Sequence, residues 1–146
     1  DNSRVRDSLD LATKFIFKKI SEGKKLNFRK DFHARIAYHT PCHLERLGWE
    51  YFSIELLKMI PGVELTVLES NCCGIAGTYG FKKENYEVSQ AIGRPLFEQI
   101  AAVGPDFVAC DCETCKWQIE MSTGVLCKFA DVLQNARKKW KIRPLT

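Results

Sequence analysis

Arg35-Ile36-Ala37-Tyr38-His39 runs into Thr40-Pro41-Cys42, and the fold is read from this stretch outward. The first five residues are short, apolar and β-tolerant, and proline holds its predecessor extended, so a strand ends at Thr40-Pro41. The pattern recurs. Val63 to Leu68 is a second strand candidate followed by a Gly-rich turn, and Asp106 to Cys110 is a third followed by a cysteine turn. Val125 to Phe129 is a fourth.

Helical segments fill the intervals. From Leu44 to Ile60, Leu47, Tyr51, Ile54 and Leu57 keep helical spacing until Pro61-Gly62 stops the run. Lys83 to Ala102 reads as a helix ended by Gly104-Pro105, with Pro95 expected to kink or divide it. A short helix is expected from about Cys115, and another over Ala130 to Trp140. Upstream, Val5, Leu9, Ala12, Phe15, Ile16 and Ile20 place one apolar stripe on a leading helix over residues 3 to 21, with Ser3 as its cap. Strands that alternate with helices imply right-handed βαβ units. The expected fold is therefore α/β: a mostly parallel, Rossmann-like sheet of about four strands with helices on its faces. Residues 1-34 form the leading helix and a basic linker, and 35-146 one compact cysteine-rich domain.

Composition sets broad limits. The apolar share of 45% and charged share of 27% in 146 residues exclude the disordered and fibrous classes. No run approaches the roughly 20 apolar residues of a membrane-spanning helix, and DNSRVRDSLD lacks the apolar core of a signal peptide. The expectation is a cytosolic piece of a longer protein. The net charge of +4 comes largely from Lys24, Lys25, Arg29, Lys30 and Arg35, and from Arg137, Lys138, Lys139, Lys141 and Arg143. Both clusters read first as solvated surface, and no nucleic-acid-binding motif accompanies them.

The cysteines carry the chemistry. Cys42, Cys72, Cys73, Cys112 and Cys115 all fall in turns just past the carboxyl ends of three expected strands. In an open parallel sheet those turns gather at one rim, where ligands of α/β proteins bind. Thiols kept reduced and clustered there indicate metal or redox chemistry rather than a disulfide framework. The vicinal Cys72-Cys73 pair is too close between α-carbons, about 3.8 Å, for an ordinary bridge. Cys112-x-x-Cys115 has the spacing that lets two sulfurs bind one centre. Five thiolates exceed the four of a tetrahedral zinc and favour a multi-iron cluster.

Gly74-Ile75-Ala76-Gly77-Thr78-Tyr79-Gly80 is neither a Walker A nor a dinucleotide fingerprint. Gly74 and Gly77 are instead expected to let backbone amides approach the cluster sulfurs. His39 and His43 flank the first cysteine turn and are read as orienting or hydrogen-bonding groups. Cys110 and Cys127, inside apolar stretches, are read as buried core.

Taken together, Cys42, Cys72-Cys73-Gly74 and Cys112-x-x-Cys115 resemble the CCG signature of the cysteine-rich domain family. The family occurs in heterodisulfide reductases, glycolate oxidases, lactate-utilisation proteins and anaerobic glycerol-3-phosphate dehydrogenases. Residues 38 to 44, 71 to 80 and 111 to 121 resemble the iron-sulfur subunits of the last branch. That resemblance implies a [4Fe-4S] cluster of noncubane form on the five cysteines, or zinc in some members. It also implies a longer protein with ferredoxin-type clusters and a preceding cysteine-rich domain. Such a protein would be peripheral at the inner face of the cell membrane and pass electrons from a flavoprotein dehydrogenase subunit, through another membrane-associated subunit, towards the quinone pool. By itself this stretch is not expected to be catalytic. Two other functions remain open at this point: a zinc-binding structural or subunit-interaction domain, and a thiol redox module like heterodisulfide reductase.

Overall fold

In the computed structural model, which describes residues 2–136, three strands form a parallel sheet in the order β2-β1-β3. They are β1 (Ala34–Tyr38), β2 (Val63–Val67) and β3 (Phe107–Ala109). The register runs Ala34 with Val63 to Tyr38 with Val67 on one side, and Ile36 with Phe107 to Tyr38 with Ala109 on the other. Each strand thus begins within a residue of its expected start. The fourth strand does not form: Cys127 makes only an isolated parallel bridge to Val108. Lys128 N donates to Val108 O at 2.8 Å and Val108 N to Leu126 O at 2.9 Å, so the chain touches the sheet edge at one point and then turns into helix.

The helices are α1 (Asn2–Ser8), α2 (Ala12–Ser21), α3 (Cys42–Glu45), α4 (Glu50–Lys58), α5 (Tyr86–Val103), α6 (Glu113–Thr123) and α7 (Phe129–Ala136). Two expected helices are each divided. Asp10 breaks the leading one by accepting from Leu11 N through its own carboxylate, a local bond that competes with the helical ladder. Gly48, at φ 63°, breaks the run from Leu44 to Ile60, because left-handed backbone ends a helix at little cost only at glycine. Pro95, in contrast, does not divide α5. Two 3-10 turns, Tyr79–Phe81 and Lys83–Asn85, precede that helix, the second in place of its expected first turn. α6 starts two residues before the expected Cys115. The end of the last expected helix, 137–140, and the second basic cluster lie outside the described residues.

β1 is the central strand, and its alternate residues bury into opposite layers. Ala34, Ile36 and Tyr38 join Leu57 and Ile60 next to α4, with Val132 and Ala136 of α7. Ala37 points the other way, towards Leu96 and Ile100 of α5 and Ile119 of α6. Helices therefore cover both faces, as the α/β pattern requires. The leading segment also packs on this body: Ser53 Oγ donates to Thr13 Oγ1 at 3.0 Å, and Phe17 meets Tyr51 edge-on. Among the described residues, no helix is long and apolar enough to cross a membrane.

Candidate metal centre

Because all three strands run in parallel, the turns that leave them open on one rim. The chain brings its sulfurs there in two tiers. Cys73, Cys110, Cys115 and Cys127 are buried, Cys112 is half-buried, and Cys42 and Cys72 are exposed. Cys73 Sγ and Cys115 Sγ stand 3.2 Å apart although 42 residues separate them in sequence. Cys112 N donates to Cys110 Sγ at 3.3 Å, and Cys112 Sγ lies 3.2 Å from Thr114 Oγ1. All seven thiols are free.

Local structure places each sulfur. Cys112 is the extended residue immediately before α6, with φ −124° and ψ 117°, and Cys115 sits in that helix's first turn. Partial positive charge on the unpaired amides there favours thiolate. The Cys72-Cys73 turn is pressed against α5. At Gly74, φ is +86° and an added Cβ would fall on the Ser89 carbonyl oxygen, so only glycine fits. Gly93 permits the same close approach from the α5 side, where a Cβ would meet Cys73 O at 2.6 Å. Gly74 N donates to Cys72 Sγ at 3.3 Å, whereas Gly77 is exposed and has open space around it.

The histidines separate in the same way. His39, at the end of β1, is 1% exposed, and its Nε2 has no hydrogen-bond partner. His43 lies exposed on α3. A buried imidazole nitrogen without a partner incurs a desolvation penalty of about 1–3 kcal/mol, which a ligand at that atom would remove. One ring nitrogen of His39, Cys110 Sγ and Cys115 Sγ all lie within 4.8 Å of one another.

Electrostatics within the group are uneven. Cys115, ringed by Cys110, Cys112 and Cys73, is pushed far up because its proton serves the sulfurs around it. Those neighbours move down: the Cys115 thiol holds Cys73 at about 5, with burial opposing and His39 adding to the effect. Cys112 is likewise lowered to about 5 by Cys115, against its own burial. Cys110 is held well below the usual thiol range by Cys115 and Cys127, and Cys72 is raised by burial. Cys73, Cys110 and Cys112 are thus the sulfurs ready to lose protons, while Cys115, Cys72 and Cys127 are held protonated and a bound cation has to displace their protons. Behind them, Tyr38 Oη donates to Asp111 Oδ2 at 2.8 Å, fixing the turn between Cys110 and Cys112 from the opposite face of the sheet.

Of the five cysteines singled out in the sequence, Cys73, Cys112 and Cys115 thus converge, and Cys42 and Cys72 stand at the outer edge. Cys110 and Cys127 join the inner group. No sequence signal set these two apart, since each lies in an apolar stretch with the composition of a buried strand.

A family model for the cysteine-rich domain (CCG) matches residues 36–120. The chain is 59% identical over 128 residues to a subunit of the anaerobic glycerol-3-phosphate dehydrogenase of Escherichia coli (strain K12), a match covering 88% of this chain and 32% of that protein. It is 33% identical over 96 residues to a subunit of the fumarate reductase (CoM/CoB) of Methanothermobacter marburgensis, covering 64% of this chain and 19% of that one. It is also 35% identical over 83 residues to a lactate utilization protein of a Geobacillus species, covering 54% and 34%. The chain spans about a third of the length of the Escherichia coli relative.

Proposed function

The chain belongs to the CCG cysteine-rich domain family, and on that premise we propose that it is an electron-transfer module whose Cys42, Cys72, Cys73, Cys112 and Cys115 hold an iron-sulfur centre. The observation that carries this reading is the approach of the turns after β2 and β3, with Cys73 Sγ at 3.2 Å from Cys115 Sγ and His39, at the end of β1, beside them. Sulfurs are the characteristic ligands of such clusters, and five exceed what one tetrahedral ion takes. When bound, a [4Fe-4S] centre, of the noncubane form implied by the five-cysteine pattern, supplies one-electron transfer at a potential set by its surroundings. Everything else follows from the chain's own residues. Cys73 and Cys115 anchor the centre in the core, while Cys42 and Cys72 close it from the exposed side and bring it to the surface where a redox partner docks. His39 Nε2, buried and unpartnered, is placed to hold a proton towards the centre's sulfur.

The 59% identity to a glycerol-3-phosphate dehydrogenase subunit supports a place in an assembly of that kind. There the whole protein would carry electrons from a flavoprotein dehydrogenase subunit, through another membrane-associated subunit, towards membrane quinone. It would sit at the inner face of the membrane, and this domain alone would have no turnover. Anaerobic reconstitution with ferrous iron and sulfide tests the proposal. About four irons and four acid-labile sulfides per chain, retained after desalting with broad visible absorption, are expected. Wild-type chain that retains no sulfide after reconstitution would remove the reading, and Cys42→Ser or Cys72→Ser chains that keep the full content would remove the ligand assignment.

A further inference from the structure

We propose that the outer edge of β2 is a self-complementary interface, where two copies of this chain pair antiparallel about a two-fold axis at Leu65 and join their sheets into one. The inference is independent of the iron-sulfur reading, since no cysteine lies on β2.

The two edges of the sheet are finished differently. On β3, Val108 N donates to Leu126 O at 2.9 Å and Val108 O accepts from Lys128 N at 2.8 Å, so the returning chain covers that edge. On β2 the inner side is the one that is used. Ala34 N donates to Gly62 O at 3.1 Å and Leu68 N to Tyr38 O at 3.0 Å, which turns the main-chain groups of Glu64 and Thr66 towards β1 as well. By alternation, the N–H and C=O of Leu65 and Val67 and the C=O of Val63 point outward. Among the described residues, none of these meets a protein partner on that side. The features that ordinarily blunt such an edge are missing too: β2 contains no proline or lysine and stays in register with β1 without a bulge.

The strand itself identifies the occupant as a second copy. Val63-Glu64-Leu65-Thr66-Val67 reads apolar, polar, apolar, polar, apolar from either end. With the axis at Leu65, this residue faces its own counterpart and exchanges both main-chain bonds with it, while Val67 N donates to the C=O of Val63 of the partner subunit. The edge thereby gains about four hydrogen bonds. One face of the joint is apolar throughout and covers Val67, which is 46% exposed in the single chain. On the other face each Glu64 carboxylate lies opposite a Thr66 hydroxyl, so no like charges meet. An axis centred on Glu64 would instead oppose two carboxylates, which fixes the register. Because the copies run antiparallel, their cysteine rims lie at opposite ends of the joined sheet and both stay open.

Sedimentation equilibrium of the full 146-residue chain, with thiols kept reduced to exclude disulfide-linked species, tests this. An edge this short predicts a reversible monomer–dimer equilibrium with a midpoint of about 1–100 µM. Thr66→Glu sets two carboxylates against each other on both sides of the axis and should weaken association about 10-fold at low salt. The double variant Glu64→Lys, Thr66→Glu turns both contacts attractive and should recover the dimer. Leu65→Pro removes an outward donor, which edge strands tolerate, and should leave the chain monomeric up to about 0.5 mM. A wild-type chain that is monomeric at about 0.5 mM overturns the proposal and leaves the edge to a different strand. So does a dimer that persists in a folded Leu65→Pro chain, or one that is unmoved by Thr66→Glu or not recovered in the double variant. The charge variants decide the matter if Leu65→Pro fails to fold. Iron and sulfide retention in all of these variants should match the wild type, and reports on the iron-sulfur reading alone.

Discussion

One face of β1 and its reverse are built from alternate residues of a single strand, yet they are finished in different chemistry. Towards α4 and α7, Ile36 and Tyr38 meet Leu57, Ile60 and Val132, and among the described residues no cysteine enters that layer. Towards α5 and α6, the strand presents only Ala37, and Leu96, Ile100 and Ile119 share the layer with Cys73, Cys110, Cys115 and Cys127. The first layer gains its stability from apolar area alone, about 1.5–3 kcal/mol for each large side chain fully buried. In the second the core is also the site, and its sulfurs are buried among its aliphatic side chains. A small residue at Ala37 makes room for that.

The sharpest way to break this contrast is a pair of truncations, one on each face. Cys115→Ala should abolish binding of metal and of sulfide, because the buried sulfurs meet at this residue, while destabilising the apo chain by about 1 kcal/mol. Leu57→Ala, on the layer without sulfur, should destabilise by about 2–5 kcal/mol and leave metal per folded chain unchanged. Metal and sulfide analysis beside urea denaturation of the apo chains separates the two profiles. If Leu57→Ala strips metal from chain that is still folded, the layers are one unit and the distinction fails.

The two layers also differ in how far they could be read from sequence. Three of the four expected strands were legible to within a residue or two, β1 most plainly, because a strand paired on both sides and buried on both faces needs a short apolar run and ends here at proline; the fourth, Val125 to Phe129, is reduced to a single bridge at Cys127. The rim placement of the cysteine turns followed from parallel order. Helix limits were less legible, since apolar spacing counted residues that do not bury: Leu9 is 73% and Leu47 54% exposed. Those two sit at the breaks made by Asp10 and Gly48. Cys110 was hidden for a different reason. Phe107-Val108-Ala109-Cys110 has the composition of any buried strand, and only the three-dimensional approach to Cys115 and His39 sets its sulfur apart.

A smaller effect is expected where α5 joins the sulfur layer. Ser89, fully buried, donates through Oγ to Gly74 O at 2.9 Å and accepts from Gln118 Nε2 at 2.9 Å. It therefore ties the Cys72-Cys73 turn to both helices of that face. Ser89→Ala leaves a buried carbonyl and a buried amide without this partner, and should destabilise by about 1–3 kcal/mol. Unlike Leu57→Ala, it should also loosen the turn: cysteine alkylation in the apo chain should quicken at Cys73 more than at Cys127. Equal acceleration at both would mean that Ser89 supports the layer generally and not the turn.

The smallest expected effect lies at the amino-terminal end of the strands, on neither face. Arg35 N donates to Asp106 Oδ2 at 2.7 Å and Arg35 Nη2 to Asp106 Oδ1 at 3.1 Å, while Asp106 N returns a bond to Arg35 O at 2.8 Å. The Arg35 backbone amide, then its guanidinium, holds the Asp106 carboxyl below its usual value. A carboxylate with a depressed folded-state pKa adds stability above its unfolded value of about 4, and that stability is lost as pH falls through this value and below. Both side chains are exposed, so the guanidinium part is screened by salt. Asp106→Asn should lower the urea midpoint slightly at neutral pH and low salt. The difference from wild type should shrink below about pH 4 and also shrink in high salt. Metal content should not move, because the pair lies at the opposite end of the strands from the turns that carry Cys42, Cys72, Cys73, Cys112 and Cys115. A midpoint difference that persists undiminished in acid would assign the effect to geometry rather than charge, and a change in metal content would show that strain at one end of β1 reaches the sulfurs at the other.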